Sequence, residues 1–229
     1  MSDGITVRVA PDAHTTARIY RAAPAADGAT CILAHGAGAG QASAFMVAFA
    51  AGIAALGVDV VTFNFLYTER GRRLPDRGPV LESCYRAVIE AVRGEVPSAR
   101  RTLVIGGKSM GGRIATQVAA ADPDLPIDGL VLLGYPLHPP GRPDTRRDRH
   151  LPSVGRPMLF VQGSRDTFGT PAELEPLLAT LTPRPALRAI VGGDHSFTLA
   201  GRNMAAAQAD LHADLQQTIA TWIHEVRRA

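Results

Sequence analysis

The twenty residues from Thr102 to Ala121 read TLVIGGKSMGGRIATQVAAA, and this stretch decides the fold. The apolar run from Thr102 to Ile105 predicts a buried strand, and the segment that begins at Arg113 predicts a helix. Between them lies Gly-x-Ser-x-Gly with Ser109 at its centre, a pattern typical of a sharp strand-to-helix turn that presents a nucleophilic serine. Glycines suit this turn because a residue without Cβ lets the strand and the helix pack closely around a strained backbone.

The composition is that of a globular protein with a sizeable core. The chain has 229 residues, of which 46% are hydrophobic and 20% charged, so we expect one domain over residues 1–229. The net charge of +3 is small, and basic residues are interspersed with acids. This pattern argues against a nucleic acid partner. All basic residues except Lys108 are arginine.

Cysteine usage and the absence of targeting signals favour a cytoplasmic location. Cys31 and Cys84 are too few for a disulfide framework, and both fall in apolar runs where we expect them to be buried. The first residues lack the basic and apolar regions of a signal peptide. No apolar run approaches the roughly 18 residues of a membrane span. We expect neither a cofactor nor a metal, and the sequence leaves the oligomeric state open.

Apolar strands alternate with helices along most of the chain. Two short alternating segments, 5–9 and 15–20, predict an antiparallel hairpin at a sheet edge. Further strands are predicted at 30–34, 58–65, 102–105, 129–133, 157–161 and 186–191, and helices at 42–56, 80–93, 113–121, 172–181 and 204–228. The pattern predicts a three-layer α/β fold, with a mostly parallel central sheet and helices on both faces. Functional sites in such sheets lie at the carboxyl ends of the strands.

Two strand ends supply partners for the serine. A serine hydroxyl needs a base, usually histidine, and the histidine needs an acid to orient it. Asp166 follows the strand at 157–161 in QGSRD, and His195 follows the strand at 186–191 in GGDHS. We therefore predict Ser109 as nucleophile, His195 as base and Asp166 as orienting acid. Asp194 is a weaker candidate for the acid because it is adjacent to His195.

The turn HGAG at 35–38 predicts the second half of an oxyanion hole. One donor would be the backbone N–H of Met110, which follows the nucleophile, and the other that of Ala37. Small residues there let the backbone approach a developing oxyanion closely. The alternative is a phosphate-binding glycine loop. The spacing does not match G-x-G-x-x-G followed by an acid at the next strand end, which disfavours that alternative.

Four motifs together make the chain resemble the α/β-hydrolase superfamily over nearly its full length: HGAG (35–38), GKSMG (107–111), GSRD (163–166) and GGDHS (192–196). Within it, the chain looks most like a small lidless branch akin to dienelactone hydrolases. It is also similar to the testis-expressed and NSL-complex hydrolase-like family through GKSMGGR (107–113), GYPLHPPG (134–141), and FNF (63–65) followed by ERG (69–71). The resemblance implies acyl-transfer chemistry. Dienelactone hydrolases, however, carry a cysteine where this chain has Ser109.

The loops around the predicted site are short and rich in arginine. About twenty proline-rich residues separate the strands near 134 and 157, too few for a lid domain. Arginines of this loop and of the loop after residue 65 are predicted along the rim, where they would favour anionic substrates or simply be solvated. They are Arg142, Arg146, Arg147 and Arg149, with Arg70, Arg72 and Arg73. The candidate substrate-binding residues are His35, Gly36, His138 and Arg70. We expect the Lys108 side chain to point away from the site, into solvent or toward an ion-pair partner; the alternative is a positive charge that tunes the site.

These observations favour a metal-independent serine hydrolase that acts on a small-molecule carboxylic ester or thioester. One alternative is a hydrolase-like scaffold or interaction protein without turnover, although a scaffold would need none of Ser109, Asp166 and His195. Another is an amidase or peptidase that uses the same three residues.

Overall fold

The computed structural model describes residues 3–23 and 28–228, and an eight-stranded sheet lies at its centre. The strands are β1 (Asp3–Ala10), β2 (Ala13–Tyr20), β3 (Ala29–Ala34), β4 (Asp59–Phe63), β5 (Thr102–Lys108), β6 (Gly129–Leu133), β7 (Met158–Gly163) and β8 (Ala186–Ile190). They lie in the order β1-β2-β4-β3-β5-β6-β7-β8. β1 and β2 form an antiparallel hairpin at one edge, β2 pairs antiparallel with β4, and the remaining pairs are parallel. The predicted edge hairpin and parallel sheet are confirmed.

Helices cover both faces of the sheet, as the sequence predicts. They are α1 (Ala44–Ala54), α2 (Leu66–Glu69), α3 (Gly78–Glu95), α4 (Met110–Ala120), α5 (Pro171–Leu178) and α6 (Ala205–Arg228). Side chains such as Tyr85 of α3 and Ile114 of α4 join the core on one face, together with those of α5. Phe49 of α1 and Ile219 of α6 join the core on the other face. Strands such as β3 and β5 are apolar throughout because both of their faces are covered.

The differences between prediction and structure lie mostly at element ends. The strand predicted at 58–65 ends at Phe63, and the one-turn helix α2 follows, which the sequence pattern did not predict. Cys31 and Cys84 are free and buried, as expected. Between β6 and β7, residues 134–157 contain only a short 3-10 turn at Leu151–Ser153, so no lid domain is inserted there. Among residues 3–23 and 28–228, no helix has both the length and the apolar character needed to cross a membrane.

Candidate active site

Ser109 lies at the junction of β5 and α4 in a strained backbone conformation. Its φ of 51° and ψ of −114° fall in a region that residues with a Cβ rarely adopt. Two backbone hydrogen bonds hold it there: Ser109 N–H donates to Leu133 O at 2.9 Å, and Arg113 N–H donates to Ser109 O at 3.1 Å. The neighbouring strand and the first helical turn thus fix the direction of the serine side chain.

The glycines of the turn allow β3 to pass directly beside it. A Cβ on Gly107, whose φ is 151°, would lie 2.2 Å from Ala34 O. A Cβ on Gly111, at the start of α4, would lie 2.4 Å from the same oxygen. Both distances are far below van der Waals contact, so only glycine permits this approach of strand, turn and helix.

The structure brings the three residues of the predicted triad into one hydrogen-bonded series. His195 Nε2 lies 2.9 Å from Ser109 Oγ, and His195 Nδ1 lies 2.7 Å from Asp166 Oδ2. We assign the Nδ1–H tautomer because a carboxylate can only accept, which leaves Nε2 free to accept from the serine hydroxyl. The three side chains come from the ends of β5, β7 and β8, as the sequence order predicts.

The Asp166 carboxylate is buried and held by donors besides His195. Gln162 Nε2 donates to Asp166 Oδ2 at 2.9 Å, and Phe168 N–H donates to Oδ1 at 2.8 Å. Gln162 is itself fully buried and also contacts the backbone of Tyr135. Gln162 was not among the site residues predicted from the sequence. A polar residue inside an otherwise apolar strand, four positions before the predicted acid, was the available signal.

The loop that carries His195 has its own support. The Phe168 ring packs against the imidazole with ring centroids 4.3 Å apart. Asp194 Oδ1 accepts from the backbone N–H groups of Ser196 and Thr198, both at 2.8 Å. Asp194 therefore shapes this loop, while Asp166 is the carboxylate that contacts the imidazole.

Ser109 opens onto a cleft of about 630 Å³. Gly36, Ala37 and Met110 line it, so the two predicted oxyanion donors belong to residues on the same cavity as the serine. Met110 is the first residue of α4, and N–H groups in the first turn of a helix have no acceptor within the helix. A Cβ on Gly36 would lie 3.6 Å from the Ser109 Cβ, so the two backbones run close together. The wall around them is mainly apolar and includes Phe45, Met46, Leu81, Pro136 and Phe168.

Three of the predicted substrate-binding side chains do not line this cleft, which corrects the prediction. His35 is fully buried; its Nδ1 lies 2.8 Å from Gly36 O, and its Nε2 accepts from Phe65 N–H at 3.2 Å. Burial lowers the pKa of His35, which favours the neutral ring that accepts from Phe65 N–H. His138 is buried and its Nε2 lies 3.1 Å from Glu173 Oε1. Arg70 is exposed just after α2.

The Lys108 side chain also corrects an expectation, because it points toward the site and has no ion-pair partner in the described part of the chain. It lines the cleft, and its Nζ donates to the backbone carbonyl of His195. The same Nζ lies 5.1 Å from the centre of the Phe197 ring and 5.8 Å from that of Phe45. Lys108 thus connects the residue before the serine with the loop that carries the histidine.

Burial of Lys108 lowers its pKa from 10.5 to about 8, although the charges of Asp166 and Asp194 act in the opposite direction. The folded state therefore binds this proton less tightly than the unfolded state, and the charged form costs stability below pH 8. We expect Lys108→Met to raise the free energy of unfolding at pH 7 by about 1–2 kcal/mol. The gain should shrink between pH 8 and pH 10, as the wild-type amine loses its proton.

Urea unfolding of wild type and Lys108→Met at pH 7 and pH 10 measures this difference. Replacing the exposed Arg142 by methionine is the control, whose effect should not change between the two pH values. A Lys108→Met effect that is equally large at pH 10 would contradict the expectation.

Comparisons with known proteins agree with this architecture. A lidless α/β serine hydrolase from Xanthomonas campestris is 24% identical, with 96% of this chain and 94% of that chain covered and a TM-score of 0.73. Dienelactone hydrolase from Anabaena variabilis is 20% identical, with 98% and 97% covered and a TM-score of 0.74. An α/β serine hydrolase homologue from Coxiella burnetii is 17% identical, with 94% and 96% covered and a TM-score of 0.74. At these identities the likeness shows the fold.

The resemblance to lidless, dienelactone-hydrolase-like proteins is confirmed, while the narrower similarity to the testis-expressed and NSL-complex hydrolase-like family stays a prediction. The sequence model described as "Alpha/beta hydrolase domain" matches residues 27–224. This match spans all of the sheet except the β1–β2 hairpin, and it includes every residue of the cleft described above. The chain therefore belongs to the α/β-hydrolase domain family.

Proposed function

We propose that the protein is a serine hydrolase that cleaves carboxylic esters or thioesters through an acyl-enzyme on Ser109. The observation that carries this proposal is the continuous series from Ser109 Oγ through His195 to the buried Asp166 carboxylate, with contacts of 2.9 Å and 2.7 Å. A strained serine held against a base that is itself held by an acid is an arrangement that acyl transfer requires. A scaffold protein would have no use for it.

In the first half of the reaction, Ser109 Oγ attacks the acyl carbon while His195 Nε2 takes the hydroxyl proton. Asp166 stabilises the resulting imidazolium and keeps the ring in place. The carbonyl oxygen gains negative charge and accepts hydrogen bonds from the N–H groups of Met110 and Ala37. His195 then gives its proton to the leaving alkoxide or thiolate, and the acyl group stays on Ser109.

In the second half, water replaces the leaving group. His195 takes a proton from this water as it attacks the acyl carbon, and a second tetrahedral intermediate forms in the same oxyanion site. Its collapse returns the proton to Ser109 Oγ and releases the carboxylic acid. The open cleft admits the water directly, because residues 134–157 insert no lid domain beside it.

An uncharged fluorophosphonate tests the proposal, because it reacts with an activated serine. Trypsin cuts after Lys108 and Arg113 and so releases the pentapeptide SMGGR, which contains Ser109 as its only serine. We expect the phosphonyl mass on this pentapeptide of the native protein, and no label on protein unfolded in urea, in which the three side chains are separated. Native protein that remains unlabelled would refute the proposed function.

A further inference from the structure

Two arginines face the cleft that holds Ser109. Arg113 and Arg147 both line it, and both are half-buried. Arg113 lies one helical turn after Ser109, and residues four apart share a face of a helix. Arg147 comes from the loop between β6 and β7. It is the one predicted rim arginine that the structure places on the cleft wall within the described chain.

Neither guanidinium has a carboxylate partner among residues 3–23 and 28–228. One terminal nitrogen of Arg113 donates to Gln117 Oε1 at 3.1 Å, whereas its Nε is buried without a hydrogen-bond partner. Asp148, the acid next to Arg147 in sequence, pairs instead with Arg146, whose Nε lies 2.7 Å from its Oδ2. Both arginines thus keep donors that no acid in this part of the protein uses.

The other acids near the cleft do not neutralise this pair. Asp76 lines the cleft, and its Oδ1 lies 2.5 Å from a terminal nitrogen of Arg72. Its Oδ2 is buried without a hydrogen-bond partner, but Asp76 forms no ion pair with Arg113 or Arg147, and its charge is not among the influences on the pKa of Arg113. Glu82 acts on Arg113 only through its charge, and that is the weakest of the influences on it. Burial, together with the charge of Arg147, lowers the pKa of Arg113. An anion between the two guanidinium groups would offset both the cost of burying their charges and the repulsion between them.

The backbone of Arg147 is fixed before any ligand arrives. Its N–H donates to Leu137 O at 2.8 Å, and its carbonyl accepts from the Tyr135 hydroxyl at 2.7 Å. The Tyr135 side chain is fully buried, so this anchor is rigid. A side chain that projects from a fixed backbone loses less entropy when it binds, which favours selective recognition.

We propose that Arg113 and Arg147 form an anion subsite that binds a carboxylate carried by the substrate next to the bond that is cleaved. Arginine suits this role because its planar fork pairs with both carboxylate oxygens. The inference rests on the proposed serine hydrolase function and names its substrate class: esters or thioesters that carry a free carboxylate a few atoms from the reacting carbonyl.

Two matched substrates test the subsite: the mono-4-nitrophenyl ester of glutaric acid and the same compound with its free carboxylate capped as a methyl ester. We expect the wild type to hydrolyse the charged ester with at least tenfold higher kcat/KM, since a charge-assisted hydrogen bond contributes about one order of magnitude. Arg113→Gln and Arg147→Gln should each bring the ratio toward one. Arg142→Gln, in the same loop but exposed, should keep the wild-type ratio.

The outcomes separate the subsite from the hydrolase. Wild type that is phosphonylated on Ser109 but hydrolyses both esters equally well would overturn the subsite and leave the hydrolase standing. A preference that survives in both Arg113→Gln and Arg147→Gln would also overturn it. Wild type that neither reacts with the fluorophosphonate nor hydrolyses either ester would instead overturn the proposed function. The two separate glutamine variants keep the test valid if one of them does not fold.

Discussion

We expect Ser109→Ala to lower kcat for a 4-nitrophenyl ester by about 10⁶-fold, and His195→Ala to lower it by about the same factor, because the proposed nucleophile and base act as one unit. The 2.9 Å contact between His195 Nε2 and Ser109 Oγ is the physical reason. Without the imidazole, the serine hydroxyl keeps its proton and is a weak nucleophile. Without the serine, the imidazole has no hydroxyl to deprotonate, and no acyl-enzyme can form.

The double variant Ser109→Ala/His195→Ala provides the sharper measurement. It should be no slower than either single variant, because the second substitution removes a partner that has already lost its function. Asp166→Asn should lower kcat less, by about 10⁴-fold, because the asparagine amide favours the wrong imidazole tautomer. Circular dichroism confirms that each variant is folded, and a burst of nitrophenol from the wild type counts its active sites. Losses that multiply in the double variant would show that the two residues act independently.

Gly111→Ala is expected to lower the free energy of unfolding by about 3 kcal/mol. The added Cβ would lie 2.4 Å from the carbonyl oxygen of Ala34 and 2.6 Å from its carbonyl carbon. Both are backbone atoms of a central strand, so no side-chain rotation can make room. The helix must move away from β3, which also displaces the serine at its start.

Gly94→Ala is the matched control for this substitution. Gly94 also lies in a helix, α3, but it is exposed and nothing lies within 4 Å of its added Cβ. Alanine there should raise the free energy of unfolding by about 0.5 kcal/mol, through its better helix propensity. Urea unfolding compares the two variants. A Gly111→Ala midpoint equal to that of the wild type would contradict the close packing of α4 against β3.

The sequence predicts the sheet well because central strands are covered on both faces and therefore read as continuous apolar runs. β3 and β5 are clear examples, buried along nearly their whole length. The helix α2 was missed for the opposite reason. Its four residues, Leu66–Glu69, are too few to show a helical period.

At the candidate site, too, some features could be predicted from local sequence and others could not. Ser109, Asp166 and His195 could be predicted because each follows a recognisable strand, and strand ends converge in a parallel sheet. The direction of the Lys108 side chain and the positions of His138 and the other loop residues depend on contacts between distant parts of the chain. Local sequence does not show which side of a loop faces a cleft.

The short connection at residues 134–157 has a kinetic consequence. Enzymes that close over their substrates can reject poor ones during closure and can be limited by the rate of reopening. With only a 3-10 turn in this connection, no cover domain from it has to move before substrate enters or product leaves. Discrimination between substrates then depends on the fixed shape and charge of the cleft walls. Substituting one wall residue should therefore change the substrate preference without disturbing an equilibrium between open and closed forms.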